Sequence, residues 1–153
     1  MEAPSQGTSR ILYSLDARQN DEELIALITE AETYIYFAIY TFTLDNVADA
    51  LVAAKKRGVA VYGIIDAGQA SSEYGAPISK KLQDAGIPVV SEKHPTGNGI
   101  MHIKALVTET AYAVGSYNWT NSGTNINDEV LEVGTDPKER AAYETILRRL
   151  YEA

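Results

Sequence analysis

Cysteine is absent from the 153 residues of the sequence. Its absence excludes disulfide scaffolds, thiolate zinc sites, iron–sulfur clusters and cysteine nucleophiles. Long apolar runs are also missing, since none approaches the ~20 residues that a membrane helix requires. The start of the chain lacks the apolar region of a signal peptide. We expect a soluble chain with no stable membrane association, located in the cytoplasm or, after removal of a leader, in the periplasm or outside the cell.

Positive charge is scarce, because 13 lysines and arginines face 21 acidic residues and leave a net charge of −8. Such a balance argues against avid, sequence-tolerant binding of long nucleic acid. A single cleft can still be basic if two copies of the chain line it with their lysines. The densest basic cluster, formed by Lys55, Lys56 and Arg57, either follows a nucleic-acid backbone or complements the negative end of a helix dipole.

The rest of the composition is that of an ordinary globular domain, with 45% apolar and 22% charged residues. We expect residues 1–9 to form a loose start and residues 10–153 a single domain. Apolar, aromatic and β-branched runs predict strands at 10–15, 34–40, 59–65, 87–90, 101–108, 111–115 and 129–133. Helical spacing of apolar residues predicts helices at 20–31, 45–57, 77–85 and 137–151. This alternation predicts a layered α/β/α sandwich with a mixed, largely parallel central sheet.

His102 and Lys104 lie two residues apart in the predicted strand 101–108, so their side chains share one face. The residues that alternate with them, Ile103 and Ala105, are expected to pack into the core. A neutral imidazole can act as a nucleophile or a general base. A lysine beside it supplies a positive charge for the oxygens of a phosphate. The pair therefore indicates attack on phosphorus.

Polar residues follow the next predicted strand and precede the one after it. Ser116 and Asn118 come after Gly115, where a hydroxyl and an amide can donate to an anion. Each of them can equally be only a turn residue. Glu129 opens the following strand, and a carboxylate there can hold the imidazole in one tautomer. No cluster of acids and histidines with metal-ligand spacing stands out, so we predict neither a metal nor a cofactor.

These residues together resemble the HKD motif of the phospholipase D superfamily, in the order His102-x-Lys104, Glu109, Gly115-Ser116-x-Asn118 and Asn127-x-Glu129. The similarity runs through nearly the whole chain, and the lone motif is typical of the small single-motif endonucleases. Two positions depart from the family pattern. Glu109 replaces the usual aspartate, and the spacer before Gly115 is one residue shorter than is common. We expect Glu109 to be structural.

The resemblance implies a two-step phosphodiesterase. One histidine attacks phosphorus and a second protonates the leaving oxygen. His102, Lys104 and Glu129 would be catalytic, and Lys104, Ser116 and Asn118 would bind the phosphate. Because one chain carries one motif, a homodimer must bring His102 of both chains to its two-fold axis. No metal ion is needed.

Three functions stay open. The first is a homodimeric endonuclease that cuts DNA, with RNA as a further substrate, without sequence preference. The second is a hydrolase of the same chemistry that acts on a phospholipid or another small phosphodiester, which suits the acidic balance better. The third is a non-catalytic nucleic-acid-binding module that keeps only the fold.

Other residues that could carry chemistry have simpler structural interpretations. His94 is expected to be a bystander, and Asp66 to cap the loop that follows its strand. Tyr117 lies in the motif loop and could contact substrate. The other tyrosines in predicted strands are assigned to the core or an interface, among them Tyr34, Tyr36, Tyr40 and Tyr62.

Overall fold

Seven strands of the described residues, 7–92 and 97–153, form one sheet in a computed structural model of the chain. The strands are β1 (Ser9–Tyr13), β2 (Tyr34–Ile39), β3 (Ala60–Asp66), β4 (Val89–Glu92), β5 (Lys104–Thr108), β6 (Tyr112–Gly115) and β7 (Val130–Gly134). The helices are α1 (Ser14–Ala17), α2 (Asn20–Glu30), α3 (Asp45–Lys56), α4 (Ala67–Ala70), α5 (Ala76–Asp84), α6 (Asn121–Asn125) and α7 (Pro137–Glu152). The strand order is β1-β7-β6-β5-β2-β3-β4. His94 lies outside the described residues.

The predicted α/β class and the mixed sheet are confirmed, but the expectation of largely parallel pairing is wrong. Of the six neighbouring strand pairs in the described residues, β2 with β3 and β3 with β4 are parallel, and the other four are antiparallel. The parallel pairs are joined by the crossover helices α3 and α5. A turn of three residues, 109–111, joins β5 to β6, and so short a connection permits only antiparallel pairing.

The antiparallel block brings distant parts of the chain to one edge of the sheet. Lys104 opens β5 opposite Ile39, the last residue of β2, and Ala105 pairs with Val114 near the end of β6. Gly115 in turn pairs with Leu131 at the start of β7. The segments that precede β5 and β7 therefore meet the segments that follow β2 and β6. We call this side of the sheet the His102 edge.

The strand predicted from residue 101 begins three residues later than expected. Met101, His102 and Ile103 lie outside regular structure. The physical reason is that β2 ends opposite Lys104, so the residues before Lys104 have no partner strand on that side. His102 is consequently carried on a short irregular segment at the mouth of β5.

Three helices cover one side of the sheet, which we call the helix-rich face. Buried apolar residues of α2, α3 and α5 pack there on the sheet, including Leu24, Ile28, Val47, Leu51, Ile78 and Leu82. Phe37 lies at its centre against Phe42 and Trp119. Gly63 makes room for Phe37, because a Cβ at that position would lie 2.1 Å from the phenylalanine ring.

Helix α7 covers the other side, which we call the α7 face. Its core is smaller and contains Tyr36, Ala38, Ile64, Met101, Ala105, Val107, Tyr112 and Leu147. Arg148 lies over the rings of Tyr34 and Tyr36, and Glu144 accepts hydrogen bonds from Tyr34, Arg140 and Arg148. Tyr36 thus belongs to this core, and Tyr34 and Tyr62 are partly buried and pack against it, in agreement with the prediction that they lie in the core or an interface. No helix of the described residues is long and apolar enough to cross a membrane.

Candidate active site

His102 and Lys104 contact each other at the His102 edge. The Lys104 Nζ lies 2.9 Å from Nδ1 and 3.1 Å from Nε2 of the imidazole, and it donates to the backbone oxygen of His102 over 2.7 Å. His102 is exposed, whereas Lys104 is 9% exposed. Burial lowers the pKa of Lys104 from its ordinary value, and the nearby charge of Glu129 works in the opposite direction. The two side chains meet, as their spacing predicts, although only Lys104 lies within the strand.

Glu129 joins the same group through Ser116. The Ser116 hydroxyl donates to Glu129 Oε1 over 2.6 Å and accepts from the backbone N–H of Val130 over 3.1 Å. The other carboxylate oxygen lies 3.5 Å from Nδ2 of Asn127. Within one chain, these hydrogen bonds orient the carboxylate toward Ser116 and not toward His102, whose imidazole it was expected to hold in one tautomer. The charge of Glu129 acts on Lys104.

A buried serine from α1 fixes the backbone of Glu129. The Ser14 hydroxyl accepts from the Glu129 N–H over 2.9 Å and donates to the backbone oxygen of Asn127 over 2.6 Å. The Ser14 N–H also donates to the backbone oxygen of Glu129. Because both backbone polar groups of Glu129 are held by one residue, its side chain leaves the sheet from a fixed point.

Asn118 is anchored through its carbonyl oxygen. That oxygen accepts from the backbone N–H of Thr41 over 3.1 Å. The NH₂ group of the amide therefore remains the end that can donate to an anion. Asn118 and Ser116 both line the pocket that contains His102 and Lys104.

Tyr117, between these two residues, does not reach the pocket, so its expected contact with substrate is wrong. Its side chain is fully buried on the helix-rich face, and its hydroxyl bonds to that of Thr124. Burial raises the pKa of the Tyr117 phenol. Ser116 and Asn118 line the pocket while the residue between them turns into the core, which is the alternation of an extended segment.

Tyr40 was assigned to the core or an interface from the sequence, but it lies at the site. Its ring centroid is 4.8 Å from that of His102, with the planes tilted by 59°. The Lys104 Nζ lies 5.7 Å from the same centroid. Gln69 from α4 donates to the Tyr40 hydroxyl over 3.3 Å. Neither Tyr40 nor Gln69 belongs to a recognisable sequence pattern. The one signal that could have placed Tyr40 at the site is its position at the end of a buried strand.

Two acidic residues, Asp66 and Glu109, have structural roles. Asp66 caps α4 by accepting from the N–H of Gln69, and it also accepts from the N–H of Met101. It therefore acts as the predicted loop cap and tethers the segment that leads to His102. Glu109 accepts from the backbone N–H groups of Glu32 and Thr33, each over 3.0 Å. Burial works to raise the pKa of Glu109, but the backbone hydrogen bonds, from Thr33 foremost, outweigh it and lower the pKa.

The basic cluster Lys55, Lys56 and Arg57 lies away from the site. Helix α3 starts after β2 ends and finishes before β3 begins, so its last turn is at the opposite edge of the sheet. Arg57 donates to the backbone oxygens of Ile28 and Ala31 at the end of α2. The helix-dipole interpretation is therefore the one that the contacts support.

A pocket of about 670 Å³ opens beside His102 and Lys104. Ser116 and Asn118 form its polar rim. Its wall is apolar and is built from β5, β6 and α7, with Ile103, Ala105, Val114, Tyr143, Ile146 and Leu147. The arrangement can hold an anion at the rim and an apolar group against the wall. Among residues 7–92 and 97–153, no group of three or more His, Asp or Glu side chains is placed to hold a metal ion.

Comparisons with known proteins identify the family of the chain. A family model described as "Cardiolipin synthase, PLD-like domain" matches residues 24–151. The mitochondrial cardiolipin hydrolase of Xenopus tropicalis is 31% identical over 130 residues, which are 84% of this chain and 60% of that protein. That of Chlamydomonas reinhardtii is 31% identical over 114 residues, 74% of this chain and 49% of that protein. The chain thus spans only about half to three fifths of these relatives.

Solved structures give the same fold. The phospholipase D family member Nuc from Salmonella typhimurium superimposes with a TM-score of 0.85 at 25% identity, over 94% of this chain and 93% of that one. NucT from Helicobacter pylori superimposes with a TM-score of 0.81 at 24% identity, over 96% of this chain and 97% of that one. The names of the curated relatives are those of hydrolases, in agreement with the enzyme class that the motif predicts.

Proposed function

Because the chain belongs to the phospholipase D-like family, as its motif predicted, we propose that it hydrolyses phosphodiesters as a homodimeric, metal-independent endonuclease. One observation carries the proposal. His102, Lys104, Ser116 and Asn118, from two separate parts of the chain, line a single pocket at the His102 edge.

The charges and donors of the pocket suit a phosphodiester. Lys104 supplies a positive charge 2.9 Å from the imidazole, so a phosphate oxygen beside the lysine would bring phosphorus close to the nucleophile. The Asn118 NH₂ group and the Ser116 hydroxyl would donate to the remaining oxygens. Glu129 would orient the Ser116 hydroxyl and partly neutralise the positive charge of Lys104. These donors are placed before the substrate arrives, which favours stabilisation of charge that develops in the transition state.

The reaction would run in two displacements. A neutral imidazole nitrogen of His102 attacks phosphorus, and the bond to the leaving oxygen breaks as His102 of the partner subunit gives that oxygen a proton. Water then attacks the phosphohistidine and passes a proton to the partner's imidazole, while the phosphorus–nitrogen bond breaks and restores the first histidine. Both histidines end in their starting states, so the cycle closes.

A dimer follows from this chemistry, because one chain supplies one His102 and the reaction uses two. His102 and Ser116 are exposed at the His102 edge, where a second copy can approach. Two copies would also place two Lys104 side chains in one cleft. A locally positive cleft is thereby compatible with a chain whose net charge is −8.

The test is hydrolysis of plasmid and single-stranded DNA by the purified protein in excess EDTA. Cleavage should persist, and the molar mass in solution should be that of two chains. After subunit exchange with a threefold excess of His102→Ala, the specific activity per total chain should fall to about one sixteenth, because only wild-type pairs are active; independent monomers would keep about a quarter. Activity lost with the chelator would refute the metal-independent mechanism. DNA binding without hydrolysis would favour the non-catalytic module.

The apolar wall favours a second candidate, hydrolysis of a phospholipid. Ile146 is 44% exposed, and it lines the same pocket as Val114, Leu147 and Lys104. An acyl chain against this wall would place its phosphodiester at the rim. The relatives named cardiolipin hydrolases point to the same substrate class. Parallel assays on cardiolipin vesicles and on DNA, with protein and buffer unchanged, separate the two candidates.

A further inference from the structure

The residues that follow β2 contact both halves of the motif. Tyr40 packs against His102, with ring centroids 4.8 Å apart, and lies 5.7 Å from the Lys104 Nζ. The next residue, Thr41, donates its backbone N–H to Oδ1 of Asn118 over 3.1 Å. Two consecutive residues thus contact His102 and Lys104 on one side and Asn118 on the other.

Gln69 ties these two residues together from α4. Its Nε2 donates to the Tyr40 hydroxyl over 3.3 Å, and its Oε1 accepts from the Thr41 hydroxyl over 3.1 Å. The Gln69 backbone is itself held by Asp66, which also accepts from the N–H of Met101. The glutamine is therefore fixed at its main chain and uses both ends of its amide on the segment after β2.

We propose that Tyr40, held by Gln69, is a positioning residue. It keeps the His102 imidazole and the Lys104 ammonium in the relative position that attack on phosphorus requires. The inference rests on the proposed function for its kinetic consequence, but not for its structural one. Neither residue belongs to the motif. Their role would be to restrict His102, which stands on an irregular segment and is exposed.

The ring can do this in two ways. An aromatic face beside an imidazole limits rotation of the imidazole by van der Waals contact. The same face attracts a cation, so the Lys104 ammonium is drawn toward the side of the ring where His102 lies. The Tyr40 hydroxyl itself serves as the point at which Gln69 anchors the ring. Loss of the ring should therefore misplace the nucleophile without removing any group that binds the phosphate.

Kinetics of four variants test the proposal. Tyr40→Leu should lower kcat about 10- to 100-fold with KM within about twofold, because a misplaced nucleophile affects the chemical step and not ground-state binding. Tyr40→Phe keeps the ring and should retain activity within about threefold. Gln69→Met keeps the volume but removes both hydrogen bonds, and it should fall between these two. Tyr62→Leu is the matched control, since Tyr62 is also half-buried but packs on Tyr36 and Tyr151.

The proton NMR signals of the His102 ring distinguish loss of positioning from general loss of structure. The chain has only two histidines, so the ring protons of His102 can be assigned by comparison with His94→Ala. Ring current from Tyr40 should displace these signals in the wild type and in Tyr40→Phe, and Tyr40→Leu should move them to the position of a histidine without an aromatic neighbour. Tyr62→Leu should leave them in place.

The outcomes are distinguishable from those of the proposed function. If Tyr40→Leu leaves the His102 signals unchanged, or keeps full kcat while the wild type is active, the proposal is overturned. If Tyr62→Leu lowers kcat as much as Tyr40→Leu, the effect is general destabilisation and the proposal is again overturned. If the wild type hydrolyses no phosphodiester, the proposed function fails, and the signals of His102 alone then decide whether Tyr40 holds it.

Discussion

The two faces of the sheet are covered very unequally. Three helices seal the helix-rich face with aliphatic side chains, whereas α7 is the one helix of the described residues on the other face, where Leu147 packs among tyrosines beside the network of Arg140, Glu144 and Arg148. Seven strands spaced by ~4.8 Å make a sheet ~29 Å wide, while one helix with its side chains covers only ~10–12 Å. A single helix therefore leaves part of its face open. The pocket beside His102 lies at that opening.

The difference teaches that stability depends most on one face of the sheet, whereas the chemistry lies at the ends of the strands. The helix-rich face holds the large buried rings of Phe37, Phe42 and Trp119. The site uses residues that stand at the ends of strands and touch solvent. Substitutions can test this division by removing activity with little change in stability, or stability with little change in the site.

The largest effect is expected at His102. His102→Ala should lower phosphodiester hydrolysis by about 10⁴-fold, equal to ~5 kcal/mol, because the variant dimer lacks both the nucleophile and the general acid. Since His102 is exposed, the free energy of unfolding should change by less than ~0.5 kcal/mol. Rate assays and urea titrations on the same preparation measure both. Residual hydrolysis above a tenth of the wild-type rate would contradict the assigned nucleophile.

The next effect is expected on the helix-rich face. Phe37→Ala should destabilise the fold by about 3–5 kcal/mol, because it empties the space between Gly63, Phe42 and Trp119. Urea denaturation gives the value. Under conditions where the variant is folded, its kcat should stay within about threefold of the wild type, since the ring is buried and lines no part of the pocket. A loss of stability below ~1 kcal/mol would show that the two faces are not so different.

A smaller effect on the α7 face depends on pH. Burial works to raise the pKa of Glu144, but hydrogen bonds from Tyr34, Arg140 and Arg148 outweigh it and lower the pKa to about 2. A carboxylate with a lowered pKa in the folded state contributes stability that is present above its ordinary value of 4.5 and is lost as the pH falls toward 2. At ~1.4 kcal/mol for each pKa unit, a pKa of about 2 in place of 4.5 corresponds to a contribution of about 3 kcal/mol.

Glu144→Gln tests this by removing the charge. Thermal unfolding of the variant should show a shallower loss of stability between pH 4.5 and 2 than that of the wild type. Glu73→Gln, at an exposed position outside the α7 network, should follow the wild-type curve. Identical curves for Glu144→Gln and the wild type would mean that the network adds no pH-dependent stability.

The smallest effect is expected at the pocket wall, where one substitution should change the choice of substrate by only a few fold. Ile146→Asn should alter the free energy of unfolding by less than ~0.5 kcal/mol, because Ile146 is 44% exposed. If an acyl chain rests on this wall, the variant should lose about fourfold more activity on cardiolipin vesicles than on DNA, which is the value of about one buried methylene. Ile11→Asn, at another exposed isoleucine far from the pocket, should leave the ratio unchanged. Equal losses on both substrates would argue against a lipid site.

Much of this architecture could be predicted from the sequence. Buried strands and amphipathic helices repeat with clear periods, so the α/β class and the long elements followed directly. Pairing direction did not follow from the alternation of elements. The short gap between the predicted strands 101–108 and 111–115 already requires one antiparallel pair, but the pairing of β5 with β2 and of β7 with β1 depends on where distant strands return, which no local pattern shows. The helices α1, α4 and α6, of four or five residues each, have too few turns to show a period.

The residues of the candidate site could likewise be predicted only in part. His102 and Lys104 could be paired from their spacing, and the family motif added Ser116, Asn118 and Glu129. Tyr40 and Gln69 could not be found, because they come from two other segments and meet the motif only through the sheet. Tyr117 was misplaced because its neighbours in the motif are polar, whereas its own side chain turns into the core.

The hydrogen bonds that Glu109 accepts offer a way to detect local opening of the chain. Its carboxylate holds the N–H groups of Glu32 and Thr33, whose residues are exposed and precede β2. Amides at exposed positions normally exchange with deuterium quickly unless a hydrogen bond protects them. Slow exchange at these two positions would therefore report closure of the turn between β5 and β6, and its loss would reveal local opening before the sheet itself separates.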